Sequence, residues 1–128
     1  MSYHFSKTLN EDFDSAIIKV KEELKKEGFG VLTEIDMQDT LKKKLNVDFK
    51  KYTILGACNP DFAYKALQVE DHIGTMLPCN VIVQEHENGT IEVSAVDPVA
   101  SMIGVQNENL GEVANSVREK LNKVINHL

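Results

Sequence analysis

Across the 128 residues no apolar run approaches the roughly 20 residues that a helical membrane span requires, so no membrane partner is expected. The opening MSYHFSKTLNEDF has neither a basic n-region nor an apolar h-region, which argues against a secretory leader. Basic residues are the minority, 14 against 20 acidic, for a formal net charge of -6. That balance disfavours nucleic acid, whose affinity comes largely from neutralised phosphates. The densest basic run, Lys42-Lys43-Lys44 followed by Lys50-Lys51, reads as a solvated face with few aromatics beside it to stack bases. The chain also has no GxSxG, no phosphate-cradling glycine loop, no HExxH and no CxxC. There are only two cysteines and three prolines. Two cysteines without an export signal point to free thiols in a reducing compartment, and the cytoplasm is the expected location.

What is present is ordinary for a globular domain: 42% hydrophobic and 27% charged residues. One domain over residues 1–128 is expected, and a chain of this size buries roughly 65–70% of its unfolded surface. Nothing in the composition calls for a disulfide, metal or other cofactor to hold the core, and none is expected.

Along the chain, Tyr3 to Leu9 alternates as a first strand, and Thr8 with Glu11 reads as a capping box for the helix that follows. Phe13, Ile17, Val20 and Leu24 form its apolar stripe, acidic residues crowd its first turn, Lys25 and Lys26 its last, and Gly28 ends it. Residues 29–35 alternate as a second strand, and Asp36 caps a short helix with Met37, Leu41 and Leu45 on one side. Residues 46–51 read as a connection, and Tyr52 to Cys58 as a buried third strand. Asn59-Pro60 is a strong helix start, because Asn supplies an acceptor at the cap and Pro loses no hydrogen bond at the first position. Asp71-His72 and Gly74 break that helix, and residues 75–77 are expected to be extended. A hairpin follows from Val81 to Val96, with Asn88-Gly89 as a type I′ turn. Asp97-Pro98 closes it and leads to a single turn or irregular stretch. The last helix, from Asn107 or Asn109, carries a wide stripe from Leu110 to Leu128.

Strands separated by helices allow a parallel sheet, but the hairpin requires antiparallel pairing. The expected fold class is α+β: a curved, mostly antiparallel sheet with helices packed on one face, in two layers. The other face is then wet or covered by a second subunit, so a homodimer is expected.

The candidate site lies in the stretch from Ile54 to Val83, which holds both cysteines and two near-matching turns, Cys58-Asn59-Pro60 and Pro78-Cys79-Asn80. Cys58 precedes a helix N-terminus, a place where a thiol pKa falls below its free value of about 8.5. The two cysteines are twenty-one residues apart in sequence, so they meet only if their strands are neighbours. A redox pair or a soft-metal site would follow, with His72 as base or third ligand. The plainer reading makes both cysteines small buried hydrophobes and His72 a cation at a helix end. His4, His86 and His127 lie away from these turns. Asn59 and Asn80, converging with a helix N-terminus, suit a small anion or carboxylate, although Asn at a cap is commonly structural. The isolated Gly56 and Gly74 mark tight turns or close backbone approach. The candidate ligand-binding residues are therefore Cys58, Asn59, Pro60, His72, Cys79 and Asn80, with catalytic and metal roles unassigned. Three functions remain open: a binding protein for a small ligand, a thiol redox or soft-metal protein, and a ligand-free interaction module.

The same stretch, followed by Asn88-Gly89 and Val96-Asp97-Pro98, resembles the DUF302 family over nearly the whole chain. The pairs Asn59-Pro60, Leu77-Pro78 and Asp97-Pro98 carry the likeness. The resemblance implies a compact α+β domain with an antiparallel sheet, helices on one face, and homodimers. It implies no agreed reaction, and since relatives keep the Asn-Pro and Leu-Pro pairs without these cysteines, it implies no general thiol chemistry.

Overall fold

The computed structural model describes residues 2–128. Five strands, β1 (His4–Leu9), β2 (Gly30–Asp36), β3 (Tyr52–Cys58), β4 (Cys79–Glu85) and β5 (Ile91–Val96), form one sheet in the order β1-β5-β4-β3-β2. Every neighbouring pair is antiparallel. The sheet is open, with β1 and β2 as its edges. The helices are α1 (Phe13–Lys26), α2 (Met37–Leu45), α3 (Pro60–Val69), the single turn α4 (Pro98–Ser101) and α5 (Leu110–Asn126). The expected class, an antiparallel sheet with helices packed on it, is the class observed.

Alternation along the strands sorts the residues. Leu55 and Ala57 of β3, Val81 and Val83 of β4, and Ile91, Val93 and Ala95 of β5 share one face. They form a continuous core with Phe13, Ala16, Val20 and Leu24 of α1 and Val117, Leu121, Val124 and Ile125 of α5. The opposite face carries a row fixed by register, Ile35, Ile54, Ile82, Ser94 and Ser6. Its two serine hydroxyls lie 2.7 Å apart. α2 runs beside β2 and β3 and buries none of its residues fully.

Several local signals resolve differently from expectation. The cap of α1 is Asp12, whose carboxylate accepts from Ser15 N and Ser15 Oγ, each at 2.8 Å. Thr8 belongs to β1, so the predicted capping box does not form, and Glu11 faces Lys19 at 3.7 Å. The far end of α1 follows its signal: Gly28 (φ +84°) lets Phe29 N reach Leu24 O and Gly28 N reach Lys25 O, a Schellman closure. The hairpin loop holds three residues, not two. Gly89 N donates to His86 O, His86 N to Thr90 O, and only Gly89 has positive φ. That is a right-handed turn with a glycine bulge, because Asn88 turns its side chain to Thr90 N instead of taking a left-handed backbone. Residues 71–76, expected in part to be extended, wind into a 3₁₀ helix after α3. Asp97 caps α4 by accepting from Val99 N (3.0 Å) and Ala100 N (3.4 Å), and Arg118 Nε of α5 donates to its other oxygen at 3.1 Å.

Candidate ligand cavity

Where β3 ends and β4 begins, the sheet runs out beneath α3 and α5 and leaves a cavity of about 240 Å³. Its floor is Ala57, Cys58 and Cys79, with Phe29 and Leu32 from the β2 side. Asn59, Phe62, Ala63 and Ala66 of the α3 segment form one wall, and Leu110, Val113, Ala114 and Val117 of α5 the other. Leu77, Pro78, Pro98 and Met102 close the end, where the Leu77–Pro78 peptide bond is cis. Apart from the weakly accepting Met102 thioether, Asn59 and the two thiols are the only side chains in this lining with a polar atom. Leu32 lines the cavity although it is 69% exposed, so the cavity reaches solvent.

Geometry explains why the space exists. α3 and α5 meet the cavity with alanines, Ala63, Ala66 and Ala114, which are too short to fill the gap between helix and sheet. Gly56 shapes the floor from beneath: a Cβ there would clash with Thr33 Oγ1 and lie 2.8 Å from Pro78 Cγ. This glycine is a point of close backbone approach, as its isolation in a strand suggests. Around Gly74 a Cβ would meet nothing within 4 Å, so no close backbone approach is made there.

The candidate residues separate into two groups. Cys58, Asn59 and Cys79 line the cavity. Both cysteines line the same cavity, and the pairing of β3 with β4 places Ala57, the neighbour of Cys58, opposite Cys79. Cys79 is buried, and the loss of water together with the nearby Cys58 pushes its thiol up to about 11. Asn59 caps α3 by position only. Its side chain makes no bond to that helix, and Nδ2 donates to Glu27 O at 3.2 Å, joining the start of α3 to the end of α1. Glu27 in turn meets Lys123 at 3.5 Å and Lys120 at 3.9 Å, which ties the same corner to α5.

Pro60, Asn80 and His72 lie elsewhere. Pro60 is exposed at the first position of α3. Asn80 is exposed in β4 opposite Gly56, and strand alternation puts it on the other side of the sheet from Cys79. The His72 side chain is 91% exposed, with Glu70 Oε2 at 3.7 Å as its neighbour. Glu70 is occupied in turn: Asn107 Nδ2 donates to its Oε1 (3.1 Å) and to Val69 O (2.9 Å), and that bond holds the Glu70 carboxyl below its usual range. Among the described residues no three His, Cys, Asp or Glu side chains gather closely enough to hold a metal ion. The walls contributed by α3 and α5 were outside the sequence-based site. Their trace in the sequence is the alanines set into otherwise large apolar stripes.

An open antiparallel sheet with an apolar cavity between its end and two helices defines a two-layer α+β protein with an internal pocket. The chain belongs to the DUF302 family, a domain of unknown function, whose sequence profile matches residues 5–128. It is similar, at 28% identity over 98% of both chains and a TM-score of 0.91, to an uncharacterized conserved DUF302 protein from Bacillus stearothermophilus known from a crystal structure. No curated protein matches the chain significantly. The fold, the family and the resemblance read from the Asn-Pro, Leu-Pro and Asp-Pro pairs therefore agree.

Proposed function

We propose that this chain is a binding protein for a small, mainly apolar molecule held in the cavity between α3, α5 and the β3–β4 end of the sheet. The observation that carries the reading is the cavity itself, about 240 Å³ with a nearly all-hydrocarbon wall. Interiors are close-packed, so an unfilled hydrocarbon-lined space that opens to solvent is a departure from the rule. An apolar ligand that fills it gains roughly 25 cal/mol for each Å² of apolar surface withdrawn from water. Thermal unfolding in the presence of a panel of apolar, polar and charged small molecules tests the reading. Apolar compounds should raise Tm and polar ones should not; no shift with any apolar compound sinks it and favours a ligand-free module.

The thiol reading, with Cys58 as nucleophile, Cys79 as resolving thiol and His72 as base, finds less support. A thiol pushed up to about 11 is protonated at neutral pH, and His72 faces solvent. Among the described residues the soft-metal reading finds no third ligand beside the two cysteines. The functional setting we infer is cytoplasmic, consistent with the absence, among the described residues, of a helix long and apolar enough to cross a membrane.

The same reading includes a homodimer formed through the outer sheet face. Its supports are the isoleucine row at Ile35, Ile54 and Ile82 and the adjoining Tyr3, which is 69% exposed. Sedimentation at micromolar concentration should give twice the chain mass, and a monomer retires this part of the proposal.

A further inference from the structure

The rim of the cavity carries a charge pattern that its interior lacks. Phe62 lies on the boundary, lining both the apolar cavity and a shallow groove of mixed polarity between α3 and α5. Two ammonium groups flank its ring: Lys65 Nζ lies 5.4 Å and Lys120 Nζ 6.0 Å from the centroid. Lys120 is shared with Glu27 at 3.9 Å, whereas Lys65 has no ion-pair partner among the described residues. The one acidic side chain lining the groove is Glu112. Positive charge is thus held at an aromatic gate, immediately outside a space that offers a ligand almost nothing but hydrocarbon.

Resting on the reading above, we propose that the occupant is an amphiphilic monocarboxylate whose hydrocarbon body fills the cavity and whose anionic head lies at the Phe62 rim beside Lys65 and Lys120. Size follows from volume. A 150 Å³ apolar cavity accommodates a six-carbon ring, so about 240 Å³ accommodates about eight to ten carbons. The head stays outside because burying a carboxylate against these walls, without a buried cation, is prohibitive. At the rim it remains partly hydrated and gains the two ammonium groups. Cys79 at the floor is compatible with this arrangement, since a protonated thiol behaves as a small hydrophobe.

Calorimetric titration with straight-chain carboxylates of increasing length, paired with the matching alcohols, tests the inference. Affinity should rise about fourfold per added methylene and stop rising once about ten carbons are reached. Octanoate should bind more tightly than octanol, and K65Q should remove about two- to fivefold of that preference, with K65Q/K120Q removing more. Ala66→Leu, which intrudes on the cavity, should shorten the preferred chain by about three carbons; if that buried variant does not fold, the half-buried Ala63→Leu makes the same test. Octanol binding as tightly as octanoate, or lysine variants that leave the acid's advantage intact, overturns the head-group assignment and leaves the apolar-cavity reading standing. Affinity that ignores chain length, or cavity-filling variants that bind unchanged, overturns the placement of the hydrocarbon body. If neither acids nor alcohols bind at all, the underlying reading fails as well.

Discussion

Cys79 makes the stability of this protein sensitive to alkali in a calculable way. Its side chain lies against the sheet floor with 7% of its surface exposed, and burial with the neighbouring Cys58 raises its pKa from 9.0 to about 11. Below pH 9 the thiol is protonated in both the folded and unfolded chain, and the associated stability is fully present. Between pH 9 and 11 the unfolded chain releases this proton while the folded chain retains it, so the folded state binds more protons and its stability falls. Two pKa units correspond to about 2–3 kcal/mol lost over that interval. Lysines and tyrosines titrate in the same window, so the clean measurement is a difference. Urea unfolding of the wild type and of Cys79→Ala should be compared at pH 8 and pH 10.5. The wild type should lose about 2 kcal/mol more than the variant, a midpoint difference of about 1 M for a urea slope near 2 kcal/mol/M. Alkylation gives a second view: at pH 8 Cys79 should react about a hundredfold more slowly than an ordinary thiol, in proportion to its thiolate fraction. Parallel pH dependences for the two proteins, or rapid alkylation of Cys79 without unfolding, would refute the argument that burial controls this thiol.

Three further outcomes follow from contacts around the cavity. Gly56→Ala should destabilise by about 1–3 kcal/mol through overpacking against Thr33 and Pro78, and Thr33→Ala in the same chain should restore only part of that, since Pro78 remains; chemical denaturation of the pair and both singles checks the coupling. Asn59→Asp, neutral if Asn59 were an ordinary side-chain cap, should instead cost about 1–2 kcal/mol, because aspartate cannot donate to Glu27 O and adds charge beside it; denaturant midpoints decide. Asp97→Ala should cost about 2–3 kcal/mol by removing the cap of α4 and leaving Arg118 without its acceptor, whereas Asp97→Asn keeps an oxygen for Val99 N and should cost less than half as much; Tm should follow the same order.

Much of the fold was legible because the signals were local. α1 and α5 announce themselves through apolar stripes, β1 and β2 through alternation, and the start of α3 through Asn59-Pro60. Misreadings also have local causes. Thr8 with Glu11 matches a capping box, but β1 claims Thr8 for the sheet, and Asp12 is the better placed acceptor. Asn88-Gly89 matches a two-residue turn, yet Asn88 satisfies its side chain at Thr90 and the loop takes a third residue. The stretch after Glu70 carries too few periodic residues to distinguish a 3₁₀ coil from an extended segment.

The candidate site was partly legible. Cys58 and Asn59 lie where a strand gives way to a helix, a junction visible in the residues themselves. Nearness in sequence groups Asn80 with Cys79 as one turn, whereas both belong to β4, where consecutive side chains point to opposite faces. The same nearness draws in His72, but the 3₁₀ segment carries it into solvent.

By itself, the order of residues determined the identity of the main helices and strands, the antiparallel pairing at the hairpin, the family and the junction of β3 with α3, because each depends on spacing within a few residues. Only the tertiary structure decided that β3 lies beside β4, that Asn59 reaches back to Glu27, and that alanines of α3 and α5 face one another across an unfilled space. The physical reason is that a cavity is a property of surfaces brought together from distant parts of the chain. Its size depends on what several side chains jointly fail to fill, and no single segment encodes it.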